Sequence, residues 1–311
     1  MSFATDVRNE LARVLPERKC CQKAELAALL SLRTKLEPGA GGGMTLRTTA
    51  ESAATARKIY SLLKETYGLS STVSVLEKKR FKKSRHYGVE VVLQPGEGQE
   101  LLDDLGLTDA AHRRAIRPAL VNKNCCKRAY LRGIFINRGF INRPEGAYHL
   151  ELVFSDTRLP AEVQKLMHRL GLEAKISERK NSLLIYLKES EKIVDFLRLV
   201  EASHALLAFE NVRIVKSMRN QVNRQVNCET ANLANTVDAS VRQVEMIERL
   251  LAKVGLKGLP PSLRELALLR IEHPDSTFKE IGMLLDPPLS KSGVAYRMKK
   301  LENLAADLLD L

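Results

Sequence analysis

Two double cysteines open similar heptapeptides, Cys20-Cys21-Gln22-Lys23-Ala24-Glu25-Leu26 and Cys125-Cys126-Lys127-Arg128-Ala129-Tyr130-Leu131. Thiolates ligate soft cations and exchange with disulfides, so both metal and redox chemistry come into question. Zinc sites commonly leave about two to four residues between ligand cysteines, and an adjacent pair rarely chelates one ion. The pairs are therefore read as small residues buried at two equivalent helix starts, with a redox or metal role as the alternative. The six histidines show no H-E-x-x-H spacing and are read as ordinary surface or core residues. No metal, cofactor or catalytic residue is expected.

The second chemically distinctive feature is positive charge. The chain carries 50 Lys+Arg against 37 Asp+Glu, a net +13, and residues 1–205 hold 35 of the basic residues against 24 of the acidic. The densest cluster is Lys78-Lys79-Arg80-Phe81-Lys82-Lys83-Ser84-Arg85-His86. A second basic stretch runs from Asn211 to Cys228 without an acidic residue and contains Arg213, Lys216, Arg219 and Arg224. Such surfaces suit a polyanion, because Lys and Arg release the counterions of phosphates. Solvated turns and a solvated linker helix are the alternative. With no Trp and 5% aromatics, single-strand binding by base stacking is disfavoured.

These groups need elements to position them. At 311 residues the chain has room for two or three domains. No apolar run reaches the length of a membrane span, the first ten residues lack a signal-peptide core, and five unpaired cysteines fit a reducing cytoplasm. The cysteine heptapeptides repeat after 105 residues, and Tyr67-Gly68-Leu69 is matched by Leu170-Gly171-Leu172. That period is too long for a solenoid unit and indicates a duplicated module. Residues 1–205 are thus expected to be α+β, with halves at about 20–110 and 125–203 around an internal pseudo-two-fold axis. Such a chain would be monomeric, and its symmetry suits duplex DNA.

Each half reads αβαββα. A lead-in helix over residues 2–15 carries Phe3, Val7, Leu11 and Val14 on one stripe. The first half then has a helix at Cys21–Leu32, a Gly-rich break, a strand at Met44–Thr49, and a helix bearing Ala56, Ile59, Tyr60 and Leu63. Strands at Ser71–Glu77 and Gly88–Leu93 and a helix at Leu101–Leu105 complete it. The second half has helices at Cys126–Asn137, around Val163–Leu170 and at Ile193–Val200. Its strands lie at Tyr148–Phe154, Ala174–Arg179 and Leu183–Leu187.

A basic linker helix is expected over 206–232, then an all-α domain over 233–311. Val241, Val244, Ile247 and Leu251 mark a packed helix, and Ser262 caps a helix over Leu263–Ile271. Near 276–309 the spacing is that of a helix-turn-helix. Thr277-Phe278-Lys279-Glu280 is a capping box whose helix buries Ile281, Leu284 and Leu285. After Asp286-Pro287-Pro288 and the cap Ser290, a second helix turns Val294, Met298 and Leu301 inward. Lys291, Ser292, Ala295, Tyr296 and Lys299 face outward, where a recognition helix meets base edges, and Arg297 and Lys300 flank the groove. An oligomerisation hairpin is the alternative.

The segment Leu131-Arg132-Gly133-Ile134-Phe135-Ile136-Asn137-Arg138-Gly139 resembles the LAGLIDADG motif of homing endonucleases, and Leu26–Thr34 is its weaker counterpart. The resemblance implies a saddle in which two such helices pack closely through small residues, here Ala28 and Gly133. It also implies a metal-holding carboxylate at the penultimate position of each motif, where this chain has Arg33 and Arg138. Cations cannot ligate a metal, and Glu37 and Glu145 fall beyond the Gly/Pro breaks, so a nuclease fold without catalysis is expected. A surviving metal-dependent endonuclease is a rival that this chemistry disfavours.

Taken end to end, with Asn223–Asn232, Tyr148–Glu151 and Ser290–Val294 as the most telling pieces, the chain resembles the WhiA family. That resemblance implies a bacterial, cytoplasmic, nucleoid-associated regulator of transcription linked to cell division, chromosome segregation and, in sporulating relatives, sporulation. The implied partner is double-stranded DNA, with a sigma factor or RNA polymerase as a further partner and no membrane. A scaffold that grips a sigma factor or division protein through the duplicated domain is the other rival.

Overall fold

The computed structural model describes residues 2–39, 43–77, 85–107, 115–155 and 158–309. They divide into two compact units, Met1–Ser217 and Met218–Leu311. No described helix is long and apolar enough to cross a membrane.

The first unit opens with α1 (Phe3–Leu11), which Ser2 caps by accepting from the Thr5 amide. It ends earlier than its apolar stripe suggested, because the buried Lys58 ammonium takes the carbonyls of Leu11 and Val14. The first half continues as α2 (Lys19–Ser31), β1 (Thr34–Pro38), β2 (Met44–Ala50), α3 (Ala53–Tyr67), β3 (Thr72–Glu77), β4 (Arg85–Leu93) and α4 (Glu97–Leu105). A 3-10 turn at Pro118–Val121 leads into α5 (Asn124–Arg138), β5 (Gly139–Ile141), β6 (Leu150–Phe154), α6 (Leu159–Arg169), β7 (Lys175–Arg179), β8 (Ser182–Leu187) and α7 (Ser190–Leu199).

The two sheets are antiparallel with the same order, β1-β2-β4-β3 and β5-β6-β8-β7. Gly68 and Gly171, left-handed at φ 70° and 81°, follow the ends of α3 and α6 at matching places. The α+β duplication holds, with one correction: each half is αββαββα, not αβαββα. The extra strands, β1 and β5, are sheet edges that follow directly on the motif helices. β1 is half-buried without a regular alternation and ends at Pro38, and β5 has three residues, so neither shows a strand period.

Periodicity is clear where burial is one-sided. In β6, Leu150, Leu152 and Phe154 face the core while Glu151 and Val153 face out, as expected for a half-buried strand. The helices α2 and α5 form the spine of the unit. A Cβ on Gly133 would lie 2.7 Å from Ala28 Cβ and 2.8 Å from the Glu25 carbonyl, so only glycine allows this approach. The expected role of Ala28 and Gly133 in close packing is therefore seen directly.

In the second unit, α8 (Ser203–Gly258), which begins in the first unit, carries a break at Gly255 (φ 69°). Then come α9 (Pro261–Glu272), α10 (Phe278–Leu284) and α11 (Lys291–Leu309). Ile247, Leu250, Leu263, Leu266, Ile281, Leu285, Val294, Met298 and Leu301 share one core. Three local expectations change. Val241 is exposed, and Gln243 occupies the buried position instead, because its amide bonds Arg270 and Glu302. Ser262 does not cap α9, which begins at Pro261 after Pro260. Leu284 is exposed, since the turn brings Leu285 rather than Leu284 into the core.

Candidate nucleic-acid interface

Three places collect the groups that sequence chemistry singled out: the helix-turn-helix, the basic face of α8, and the contact between α2 and α5. In the helix-turn-helix, Thr277 Oγ1 accepts from the Glu280 amide and the Glu280 carboxylate accepts from the Thr277 amide, which completes the capping box. The Thr277 amide, and next its hydroxyl, hold the Glu280 carboxyl below its ordinary pKa. The turn then folds back tightly: the Leu289 amide donates to the Gly282 carbonyl at 2.8 Å, and a Cβ on Gly282 would lie 2.3 Å from the Leu289 carbonyl. Ser290 Oγ accepts from the Gly293 amide at the start of α11. Val294, Met298 and Leu301 are buried as expected, which turns Lys291, Ser292, Tyr296, Lys299 and Lys300 to solvent.

Tyr296 is 63% exposed, with the Lys300 ammonium 4.8 Å from its ring centroid. Ala295 is half-buried. Arg297 is half-buried, and one nitrogen of its guanidinium donates to the Ser262 carbonyl at 3.2 Å, which ties α11 to α9.

On α8 the basic residues divide. Arg213 donates to Glu210 at 2.7 Å, and Lys216 donates to the Gly146 carbonyl at 2.8 Å while lying over the Tyr148 ring. These two are engaged within the first unit. Arg219 and Arg224 are exposed and have no acidic partner among the described residues. Lys78, Lys79, Arg80, Lys82 and Lys83 lie outside the described residues, and Arg85 begins β4.

At the carboxylate positions of the nuclease motif, Arg33 follows α2 and Arg138 ends α5. The Nε atoms of both are buried without a protein partner. Burial, and next the Arg33 charge, lower the Arg138 guanidinium from its ordinary pKa, while Glu51 opposes this. Glu51, just after β2, pairs with Arg33 and with Arg8. Sequence spacing did not reveal it, since it belongs to no motif. Its negative charge is shared among arginines, which leaves a cationic centre where the nuclease motif requires an anionic one. Glu37 lies elsewhere, on the outer face of the first sheet, bonded to Arg47.

Beneath this centre is a buried ion network that no motif announced. Glu25 accepts from Arg132 at 2.9 and 3.0 Å and from Lys58 at 2.5 Å, and Arg132 reaches on to Glu201. Burial, outweighing the Glu25 charge, lowers Lys58 to about 8. At the other end of α2 and α5, Cys20, Cys21, Cys125 and Cys126 converge with all four sulfurs within 4.8 Å of one another. Cys21 and Cys126 are buried as expected, whereas Cys20 and Cys125 are half-exposed. The signal that could have joined the two pairs is their equal place in the two repeats, since a two-fold axis between paired helices superposes their ends.

Family models place this architecture. The WhiA N-terminal LAGLIDADG-like domain matches residues 19–108, the WhiA LAGLIDADG-like domain 127–219, and the WhiA C-terminal HTH domain 222–305. A protein of Syntrophomonas wolfei named "Probable cell division protein WhiA" is 58% identical over 99% of both chains. One of the same name from Heliobacterium modesticaldum is 48% identical over 98% of this chain and 96% of its own. The crystal structure described as "full-length DUF199/WhiA from Thermatoga maritima" shares the fold at 23% identity and a TM-score of 0.59, covering 99% of each chain. On end-to-end identity and three consecutive domain matches, the chain belongs to the WhiA family.

Proposed function

We propose that this protein is a non-enzymatic, sequence-specific binder of duplex DNA that regulates transcription linked to cell division and chromosome segregation, and in sporulating bacteria to sporulation. The carrying observation is the exposed Lys291, Ser292, Tyr296 and Lys299 face of α11, on a helix pinned to α10 through Gly282. Polar and basic groups on the N-terminal half of such a helix suit hydrogen bonding to base edges. Arg219, Arg224 and the basic segment 78–85 supply phosphate contacts that position without reading. The names of the relatives support the link to division. A monomeric, cytoplasmic, nucleoid-associated protein accords with the internal symmetry and the polyanion partner.

A second proposal concerns the first unit. On the outer face of its first sheet, Arg47 is held by Glu37 at 2.7 Å and Glu90 at 3.0 Å, and Leu76 and Val92 are exposed. A face with paired charges and open apolar groups suits a protein partner, such as a sigma factor or RNA polymerase, better than phosphates.

The test is selection of bound duplexes by the full chain, then affinity measurements on the preferred and an unrelated sequence. Replacing Lys291 and Tyr296 with Ala should reduce the preference by about 1–3 kcal/mol per lost base contact. An unchanged preference refutes this placement of the recognition helix. Replacing Lys78, Lys79, Lys82 and Lys83 with Gln should weaken both sequences equally and lower the log–log salt slope by about 0.9 per lost phosphate contact. An unchanged slope assigns the first unit to a protein partner.

A further inference from the structure

We propose that Cys20, Cys21, Cys125 and Cys126 form a tetrathiolate site for a single zinc ion, which clamps the N-termini of α2 and α5 across the pseudo-two-fold axis. Four features of the site carry this.

The first is distance. All four sulfurs lie within 4.8 Å of one another, and the Cys125 and Cys126 sulfurs are 3.9 Å apart. A tetrahedral ion with Zn–S bonds of about 2.3 Å sets its sulfurs about 3.8 Å apart, so small side-chain rotations close the cage. An iron–sulfur cluster places several iron and sulfide atoms between its thiolates and needs them farther apart.

The second is the source of the ligands. Adjacent cysteines of one helix start are a poor chelate alone, but here each helix supplies two and the axis between them completes the set. The contact is close, since a Cβ on Gly133 would lie 2.7 Å from that of Ala28, and it brings the two helix starts together.

The third is charge. Four thiolates on a divalent cation leave a net double negative charge, which a buried site must offset. The cysteines lie in the first turns of α2 and α5, and neither helix has an acidic residue there or a side-chain cap. Both positive helix ends therefore face the sulfurs. Arg18, the N-cap residue of α2, lines the same cavity as Cys125 and adds a positive charge there.

The fourth is access. A cavity of about 350 Å³ lined by Pro16, Arg18, Cys21, Cys125, Arg128 and Glu201 opens beside the thiols, and Cys20 and Cys125 are half-exposed. An ion can enter and the released protons can leave; binding forms four Zn–S bonds, releases four protons to solvent and changes no oxidation state. The fifth cysteine, Cys228, is exposed on α8 and takes no part. The inference is independent of what the protein binds.

The test uses the untagged full chain purified under reducing conditions. Elemental analysis should find about one zinc per chain, and the cobalt(II)-substituted protein should show the visible absorption of a tetrahedral thiolate complex. With zinc bound, only Cys228 should react with a thiol reagent, and all five cysteines should react after chelation. Cys125→Ser should lose its zinc to a chelator that the unaltered protein resists, while Cys228→Ser should not. Circular dichroism checks that both variants fold, and should Cys125→Ser fail to fold, the cobalt spectrum and thiol counts of the unaltered protein decide. Metal-free protein with five reactive thiols that zinc does not protect would overturn the proposal. So would cobalt bound without thiolate absorption, or two disulfides between the helices in place of the metal.

Discussion

Replacing Glu25 by Gln removes the carboxylate that Lys58 and Arg132 share, at the centre of the α2–α5 contact. The side chains of Glu25 and Lys58 are fully buried and that of Arg132 is 3% exposed. Breaking a buried ion pair by deleting one partner costs about 3–5 kcal/mol, since a charge is stranded. The geometry sets where in that range the loss falls. Lys58 already has its pKa lowered to about 8 and can shed its proton once Glu25 is neutral. Arg132 cannot, but it keeps Glu201.

The expected loss is therefore about 3 kcal/mol, at the lower end. With an m-value of about 2–3 kcal/mol/M in urea, the midpoint should fall by about 1–1.5 M. Tyrosine fluorescence is the suitable probe, because six of the seven tyrosines lie in the first unit and the chain has no Trp. Adding Arg132→Met should recover part of the loss by removing the stranded guanidinium. A Glu25→Gln midpoint within about 0.3 M of the unaltered protein, at equal m, would refute the reasoning.

Gly133→Ala should destabilise the first unit by about 1–3 kcal/mol in the same assay, because its Cβ would meet Ala28 and the Glu25 carbonyl inside 3 Å; no midpoint change would show that the helices can part. Lys58 also predicts a pH dependence. Its folded pKa of about 8 lies below its unfolded 10.5, so the unfolded chain binds the extra proton between those values and stability should rise with pH there, by up to about 3 kcal/mol. Lys58→Met should lack that rise relative to the unaltered protein, and equal pH profiles would count against it. Finally, because arginines stand at the motif's metal positions, pure protein should not cut duplex DNA with Mg²⁺ or Mn²⁺; nicking abolished by a chelator would reverse this.

What could be read from the chain alone was what local chemistry and repetition encode. The capping box at Thr277 and Glu280 and the inward stripe of Val294, Met298 and Leu301 depend on residues within a few positions of one another, and the duplication on the likeness of two short segments. The same holds for the two motif arginines, which needed only a register. The tertiary structure decided what depends on partners far along the chain. β1 and β5 are strands because β2 and β6 offer them an edge, not because their own residues alternate. Gln243 displaces Val241 from the core because Arg270 and Glu302 require a polar partner there. Glu51 reaches Arg33, and Glu25 meets both Lys58 and Arg132, the latter 107 residues away in the chain, only once the helices have packed. The four thiols meet for the same reason: each pair is ordinary on its own helix, and the glycine-permitted contact between α2 and α5 places them around one point.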